Sequence, residues 1–257
     1  MLRFASLASG SGGNCLVADC DGTRVLVDCG LSLTETERRL ARVGLQGADI
    51  SAILVTHEHG DHAGGVFDFA AAHGAAVYLT YGTRTALEAE GKVLEGVKVR
   101  LVSGKEPVAI GALEARPYTV PHDAREPVQY ILSDGNARLG ILTDIGCSTP
   151  HVEQMLSGLD ALVLECNYDL DLLWAGPYPK WLKSRIAGPF GHLDNRQSEG
   201  LLGRIERSKL KHVLGAHLSQ HNNKPELARA ALARALGCSD DWIGIASQDE
   251  GSEWRSL

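Results

Sequence analysis

The chain has 257 residues, 44% of them hydrophobic and 22% charged, and a net charge of −7 with histidine neutral. That mix excludes a disordered or fibrous chain, and at this length roughly 70–75% of the unfolded surface can be buried without staples. No apolar run approaches the ~18 residues of a membrane span, and the stretch from Met1 to Asn14 lacks the charged-then-apolar pattern of a signal peptide, so a cytoplasmic protein with no membrane partner is expected.

Taken in order, Leu2 to Leu7, Leu16 to Ala18 and Val25 to Val27 are short apolar or alternating runs bounded by Gly, Asp and Asn, and they predict strands. A helix is predicted over Thr34 to Val43, with glutamates early and arginines late to suit its dipole. Ile53-Leu54-Val55 reads as a buried strand and Ala63 to His73 as a helix. Strands follow at Val77 to Leu79, Val97 to Leu101, Val108 to Ile110, Ala115 to Val120, Val128 to Leu132 and Arg138 to Leu142. Then come a helix over Pro150 to Leu156, a strand over Ala161 to Leu164, and helices over Lys180 to Ile186 and Asp194 to Arg207. A strand at Val213 to Ala216, a helix from Pro225 through Leu236 and a last strand at Trp242 to Ala246 complete the set. No linker or repeat divides the chain, which suggests two sheets packed together with helices outside, in one domain over residues 1–257. The six cysteines are scattered with no C-x-x-C, as expected of buried reduced thiols.

The sharpest local signal is His57-x-His59-x-Asp61-His62, directly after an apolar strand. In extended chain His57 and His59 point to the same side, and the turn beyond carries Asp61 and His62 a little further on. One metal on the first pair and a second on the second pair is a natural arrangement. Imidazole and carboxylate suit Zn²⁺ or Mn²⁺, with Fe²⁺ also acceptable.

The motif resembles the H-x-H-x-D-H signature of the metallo-β-lactamase fold superfamily. The resemblance implies an α/β (α+β) chain built as a four-layer αββα sandwich. It also implies further ligands downstream at strand ends, for which His122, Asp144 and His217 stand in the required order. Site one would then take His57, His59, His122 and Asp144, and site two Asp61, His62, Asp144 and His217, with Asp144 bridging. Two such divalent ions hold a bridging hydroxide as nucleophile. Asp28 either supports the site from behind or is only a turn residue before Gly30. Glu58 is not expected as a ligand; flavodiiron-type members use a glutamate at the third motif position, here His59, which disfavours redox chemistry.

The chain looks like the YycJ-type (WalJ-like) branch over almost its whole length. The matching segments include Ser9 to Asn14, Asp28-Cys29-Gly30, Thr56 to His62, Pro121 to Ala124, Thr143 to Gly146 and Leu164 to Asn167. Tyr178 to Ile186, Gly191-His192-Leu193 and His217 to Asn223 continue the match. The branch implies a divalent-metal nuclease with 5′-to-3′ exonuclease activity, on DNA rather than RNA. The surroundings of His192 are also similar to ribonuclease Z, which implies that His192 assists at the scissile phosphate with Glu165 orienting it. His192, Asp61 and Glu165 are thus the expected catalytic residues, although His192 can also be read as leading into the next helix, with Asp194 and Asn195 as caps. Asn14, Asn222, Asn223, Lys183 and Arg185 are the candidate substrate contacts. Asn14 can instead belong to a tight hairpin turn, and Asn222 and Asn223 can cap the helix at Pro225.

Two departures stand out: Tyr168 replaces a histidine of the branch, and Asp194 replaces a serine; Gly60 also stands where a serine is common. An added carboxylate beside the phosphate path would weaken nucleic-acid binding, and both changes together would suit a noncatalytic, metal-stabilised scaffold. The remaining alternative is an ester or thioester hydrolase, glyoxalase II-like or lactonase-like, on the same site; the C-terminal helical module of glyoxalase II has no clear equivalent here, and there is no room for a β-CASP insertion. The acidic total disfavours nonspecific nucleic-acid binding by global charge. Yet between Lys180 and Lys211 eight basic residues face three acids, so a confined basic rim beside His192 is expected.

Overall fold

The structure, a computed structural model, describes residues 1–92 and 95–257. The first half supplies strands β1 (Leu2–Ala8), β2 (Cys15–Cys20), β3 (Thr23–Val27), β4 (Ala52–Leu54), β5 (Ala76–Thr80) and β6 (Val99–Val102), with helices α1 (Leu33–Arg42), α2 (Gly60–Ala63), α3 (Val66–His73) and α4 (Tyr81–Ala89). The second supplies β7 (Val108–Ile110), β8 (Leu113–Thr119), β9 (Val128–Ser133), β10 (Arg138–Leu142), β11 (Ala161–Glu165), β12 (His212–Ala216), β13 (Gly244–Ile245) and β14 (Arg255–Ser256). Its helices are α5 (Pro150–Met155), α6 (Leu170–Ala175), α7 (Lys180–Ile186), α8 (Asn195–Arg204) and α9 (Pro225–Leu236).

Strand alternation explains the layers. In β1, Leu2 and Phe4 face one core while Ala5 and Leu7 face another. In β11, Ala161 and Val163 join the first of these, and Leu162 and Leu164 turn to a third. Both faces of both sheets are therefore buried, one core lying between the sheets and one under each helical layer. This is the four-layer αββα sandwich. Among the described residues each sheet has seven strands, in the orders β14-β1-β2-β3-β4-β5-β6 and β13-β12-β11-β10-β9-β8-β7. The strands β3 to β6 run parallel, as do β10 to β13, so their carboxyl ends gather along one edge. That edge carries the site.

Several elements differ from the sequence expectation. The helix over Ala63 to His73 is two pieces, because Gly64 and Gly65 lie against the backbone of Gly60 and Leu31. The helix expected to reach Arg207 ends at Arg204, and the last strand shrinks to two residues after a 3-10 turn at Asp240–Trp242. Helices α4 and α6 lie outside the helices expected from the sequence; Thr80 and Asp169 cap them. Strand β14 pairs with β1, bringing the chain's last residues beside its first. Among the described residues no helix is long and apolar enough to cross a membrane.

Candidate metal centre

Strand ends deliver the site residues. Beyond β4, Thr56 and His57 follow Val55, whose carbonyl accepts a hydrogen bond from the buried Tyr130 hydroxyl at 3.0 Å. The chain then turns into α2 with Asp61 and His62. A close approach fixes this turn: a Cβ on Gly30 would lie 1.8 Å from the Asp61 carbonyl oxygen. His122 follows β8, Asp144 follows β10, and His217 follows β12. Asp28, Asp144 and His217 hold positive φ angles of 60°, 53° and 54°. Non-glycine residues adopt this region at a cost of about 1–3 kcal/mol, and such strain gathers at functional sites.

The seven candidate ligands converge. His59 Nδ1 lies 3.0 Å from His57 Nε2 and 3.3 Å from His122 Nε2. His62 Nε2 lies 2.8 Å from Asp144 Oδ2 and 3.5 Å from Asp61 Oδ2. His217 Nε2 lies 3.4 Å from Asp61 Oδ2 and 3.6 Å from Asp144 Oδ2. Asp144 Oδ1 lies 3.8 Å from His122 Nε2. The Asp144 carboxylate thus reaches both groups of imidazoles, as a bridging ligand must.

The residues fit a pair of divalent ions on their own chemistry. Donor atoms of His57, His59 and His122 lie within 4.8 Å of one another, and so do those of Asp61, His62 and His217. Asp144 Oδ2 is buried without a well-formed hydrogen bond, a costly state that a cation relieves. Nitrogen and oxygen donors without thiolate suit Zn²⁺ or Mn²⁺.

Supporting contacts orient these ligands. Asp28 Oδ2 holds His62 Nδ1 at 2.7 Å and accepts the Thr56 hydroxyl at 2.9 Å, while Thr56 Oγ1 sits 2.9 Å from His57 Nδ1. The Gly191 carbonyl, 3.1 Å from His122 Nδ1, leaves Nε2 to face the centre. Ser9 Oγ accepts the His217 N–H at 2.7 Å, and the Asn167 amide touches His217 Nδ1 at 2.9 Å. Thr56, Ser9 and Asn167 lie in segments that match the branch, but no role in the site was expected of them.

Burial pushes the His57 and His122 imidazoles below their ordinary range. Burial also works against the Asp144 carboxylate, but His217 and His62 together outweigh it and hold that group well below the usual carboxylate range. Asp61 is lowered in the same way by hydrogen bonds to His217 and His62, against its burial.

His192 and Glu165 form a second unit. Glu165 is fully buried and accepts four hydrogen bonds. Its Oε1 takes Asp144 N–H at 3.1 Å and His192 Nδ1 at 2.8 Å; its Oε2 takes the N–H of Ile145 at 3.1 Å and of Leu193 at 3.0 Å. It therefore ties the Asp144 turn to the His192 turn. Burial would lower the His192 pKa, but the charges of Glu165 and Asp144 prevail and raise it to about 9. With Nδ1 engaged, Nε2 is the nitrogen left for a substrate.

A cavity of about 310 Å³ opens on the centre, lined by Ser11, His59, Asp61, Asp144, His192 and His217 and by Tyr178, Leu182, Arg185 and Ile186. Arg185 lines it, with Nε 2.7 Å from Asp123 Oδ2. The other expected substrate contacts are placed differently. Lys183 is buried and its ammonium donates to the carbonyls of Trp174 and Gly176, both at 2.7 Å. Asn223 is buried against Asn195 and the Cys166 carbonyl. Asn222 is also buried and bonds back to Ser219. Asn14 turns inward to Gly10, Asp61 and His62. Spacing alone could not tell a side chain facing the cavity from one bracing its wall. Of the two departures, Asp194 caps α8, with Oδ1 2.7 Å from the Gln197 N–H, and Tyr168 is buried. The Asp194 carboxylate is used by the helix rather than turned against a phosphate.

A sandwich of this order with a histidine–aspartate cluster at its strand ends defines a class of metal-dependent hydrolases. Residues 23–210 match the family described as the Beta-lactamase superfamily domain, and the chain belongs to it. It is 36% identical over 236 residues to exodeoxyribonuclease YycJ of Bacillus anthracis, covering 91% of this chain and 89% of that protein. It is 32% identical over 246 residues to exodeoxyribonuclease WalJ of Streptococcus pneumoniae serotype 2 (strain D39), covering 95% and 91%. The crystal structure of the metallo-β-lactamase fold protein YhfI from Bacillus subtilis shares the fold, with a TM-score of 0.77 at 14% identity over 99% and 98% of the two chains.

Proposed function

We propose that this protein is a two-metal phosphodiesterase that removes nucleotides from a DNA end in the 5′-to-3′ direction. The observation that carries the reading is His192, held by the buried Glu165 and lining the same cavity as the candidate ligand Asp144. The names of the YycJ and WalJ relatives support a DNA substrate and exonucleolytic action. The ligands would be those placed above, with His57, His59 and His122 on one side, Asp61, His62 and His217 on the other, and Asp144 between. When bound, Zn²⁺ or Mn²⁺ would activate an attacking water and neutralise charge on the phosphodiester. The chain's own residues do the rest. Asp61, ionised and open to the cavity, orients the water through a hydrogen bond. His192, protonated through its pairing with Glu165, donates from Nε2 to the oxygen on which charge develops. Arg185 exchanges its Asp123 partner for a phosphate oxygen. A reducing cytoplasmic setting suits the six free cysteines.

The test is to load the purified protein with Mn²⁺ or Zn²⁺ and offer end-labelled single- and double-stranded DNA, RNA and a thioester. Mononucleotide release from DNA, stopped by a phosphorothioate block at the 5′ end, is expected. Thioester turnover without cleavage of any nucleic acid would sink the reading.

A further inference from the structure

Four of the five candidate ligand imidazoles are braced through the nitrogen that faces away from the centre. His57 Nδ1 meets Thr56 Oγ1 at 2.9 Å and His62 Nδ1 meets Asp28 Oδ2 at 2.7 Å. His122 Nδ1 meets the Gly191 carbonyl at 3.1 Å and His217 Nδ1 meets the Asn167 amide at 2.9 Å. His59 is the exception. It turns Nδ1 rather than Nε2 to the centre, and among the described residues its Nε2 has no hydrogen-bond partner. An imidazole that offers the lone pair of Nδ1 to a cation carries its proton on Nε2, so this nitrogen calls for an acceptor. A carboxylate stands just out of reach. Asp123 Oδ1 lies 3.9 Å from His59 Nε2, about 1 Å beyond a well-formed N–H···O bond, and 3.5 Å from His122 Nε2. Arg185 holds it there, its Nε donating to Asp123 Oδ2 at 2.7 Å. His59, Asp123 and Arg185 all line the same cavity. The backbone around Asp123 is fastened: its N–H donates to the Phe190 carbonyl at 3.0 Å, and Glu58 Oε1 accepts the Arg125 N–H at 2.6 Å. A change of partner therefore falls to the Asp123 side chain.

We propose that Asp123 is a positioning residue for the metal centre: released from Arg185, its carboxylate accepts the His59 Nε2–H and braces that ring, and Arg185 withholds it until an anionic group of the substrate takes the guanidinium. This rests on the reading that Arg185 moves to a phosphate oxygen, and it adds a link between substrate and ions. A phosphate that frees Asp123 strengthens ion binding, and by reciprocity the ions strengthen substrate binding by the same factor. An uncharged ester offers nothing to the guanidinium and leaves Asp123 where it is.

The full-length protein is titrated with Zn²⁺ by calorimetry, without substrate, and thermal midpoints check that each variant is folded. Arg185→Ala is expected to tighten one ion by about tenfold, the lower end of what a contact behind a metal ligand contributes. In an Asp123→Ala background the same replacement is expected to change the affinity little. Arg185→Ala combined with Asp123→Asn, or with Asp123→Ala, gives two proteins of equal net charge. The first keeps an oxygen that accepts from Nε2 and is expected to bind Zn²⁺ several-fold tighter than the second. Equal affinity of these two overturns the brace, because a difference in charge or direct ligation by a carboxylate would not separate them. An equal loss in Arg185→Ala and Asp123→Ala overturns it too, as the mark of an ion pair that only holds the mouth together. A cleavage-resistant phosphorothioate duplex is then added to the wild type and to Asp123→Ala. It is expected to tighten the ion more in the wild type, and equal tightening overturns the link to substrate. Variants that behave as expected in a protein that binds no DNA support the brace and remove the nuclease reading.

Discussion

Replacing Glu165 by glutamine keeps the shape of the side chain and removes its charge and one of its acceptors. In the wild type each carboxylate oxygen accepts two hydrogen bonds, Oε1 from Asp144 N–H and His192, Oε2 from the N–H of Ile145 and Leu193. A carboxamide must turn its NH₂ toward one of these pairs. At least one backbone N–H then loses its partner and meets another donor, in a place where Glu165 has no solvent exposure. Each buried group left unpaired costs about 1–3 kcal/mol. Two such groups imply a loss of about 2–6 kcal/mol, or a fall in thermal midpoint on the order of 5–20 °C for a chain of this size. The two turns that Glu165 joins carry the candidate ligand Asp144 and His192, so metal affinity should fall along with stability. Thermal unfolding in the presence of a chelator isolates the first effect, and calorimetric titration with Zn²⁺ measures the second. A Glu165→Gln protein with wild-type midpoint and wild-type metal affinity would refute the idea that this carboxylate holds the two turns together.

Other expectations follow from the same contacts. Asp144→Ala should bind fewer metal ions by elemental analysis and lose activity in step, since this carboxylate alone reaches both imidazole groups; two ions bound at full rate would rule out bridging. Asp194→Ala should cost about 1 kcal/mol through loss of the α8 cap, seen as a lower urea midpoint, and should not tighten DNA binding; tighter binding would mean that this carboxylate repels phosphate after all. Hydrogen bonds from Arg38 and Arg39 hold the Glu35 carboxyl near about 2. Its folded pKa is depressed, so the stability it contributes is present above the ordinary glutamate range and is lost as pH falls from about 4.5 toward 2. The partial exposure of Glu35 keeps this contribution small. The drop in urea midpoint between pH 6 and pH 3 should be smaller in Glu35→Gln than in the wild type; an equal drop would place the acid sensitivity elsewhere.

The amino-acid sequence by itself determined what depends on local order. Alternating apolar residues in runs such as Leu2 to Leu7 specify strands, and proline before an alanine-rich run specifies α9. The spacing His57-x-His59-x-Asp61-His62 dictates a cluster of donors at a turn, because side-chain direction in extended chain repeats every two residues. The tertiary structure decided what depends on distant residues meeting. Glu165 reaches Asp144, Ile145, His192 and Leu193 only because β10 and β11 lie side by side and α8 begins beside their ends. Lys183 and Arg185 are two positions apart on α7 with the same charge, yet one is sealed against Trp174 and Gly176 and the other opens onto the cavity. Residues two apart on a helix point about 200° from each other, so which of them meets the substrate is set by the neighbour the helix packs against, and that neighbour is not encoded in the spacing.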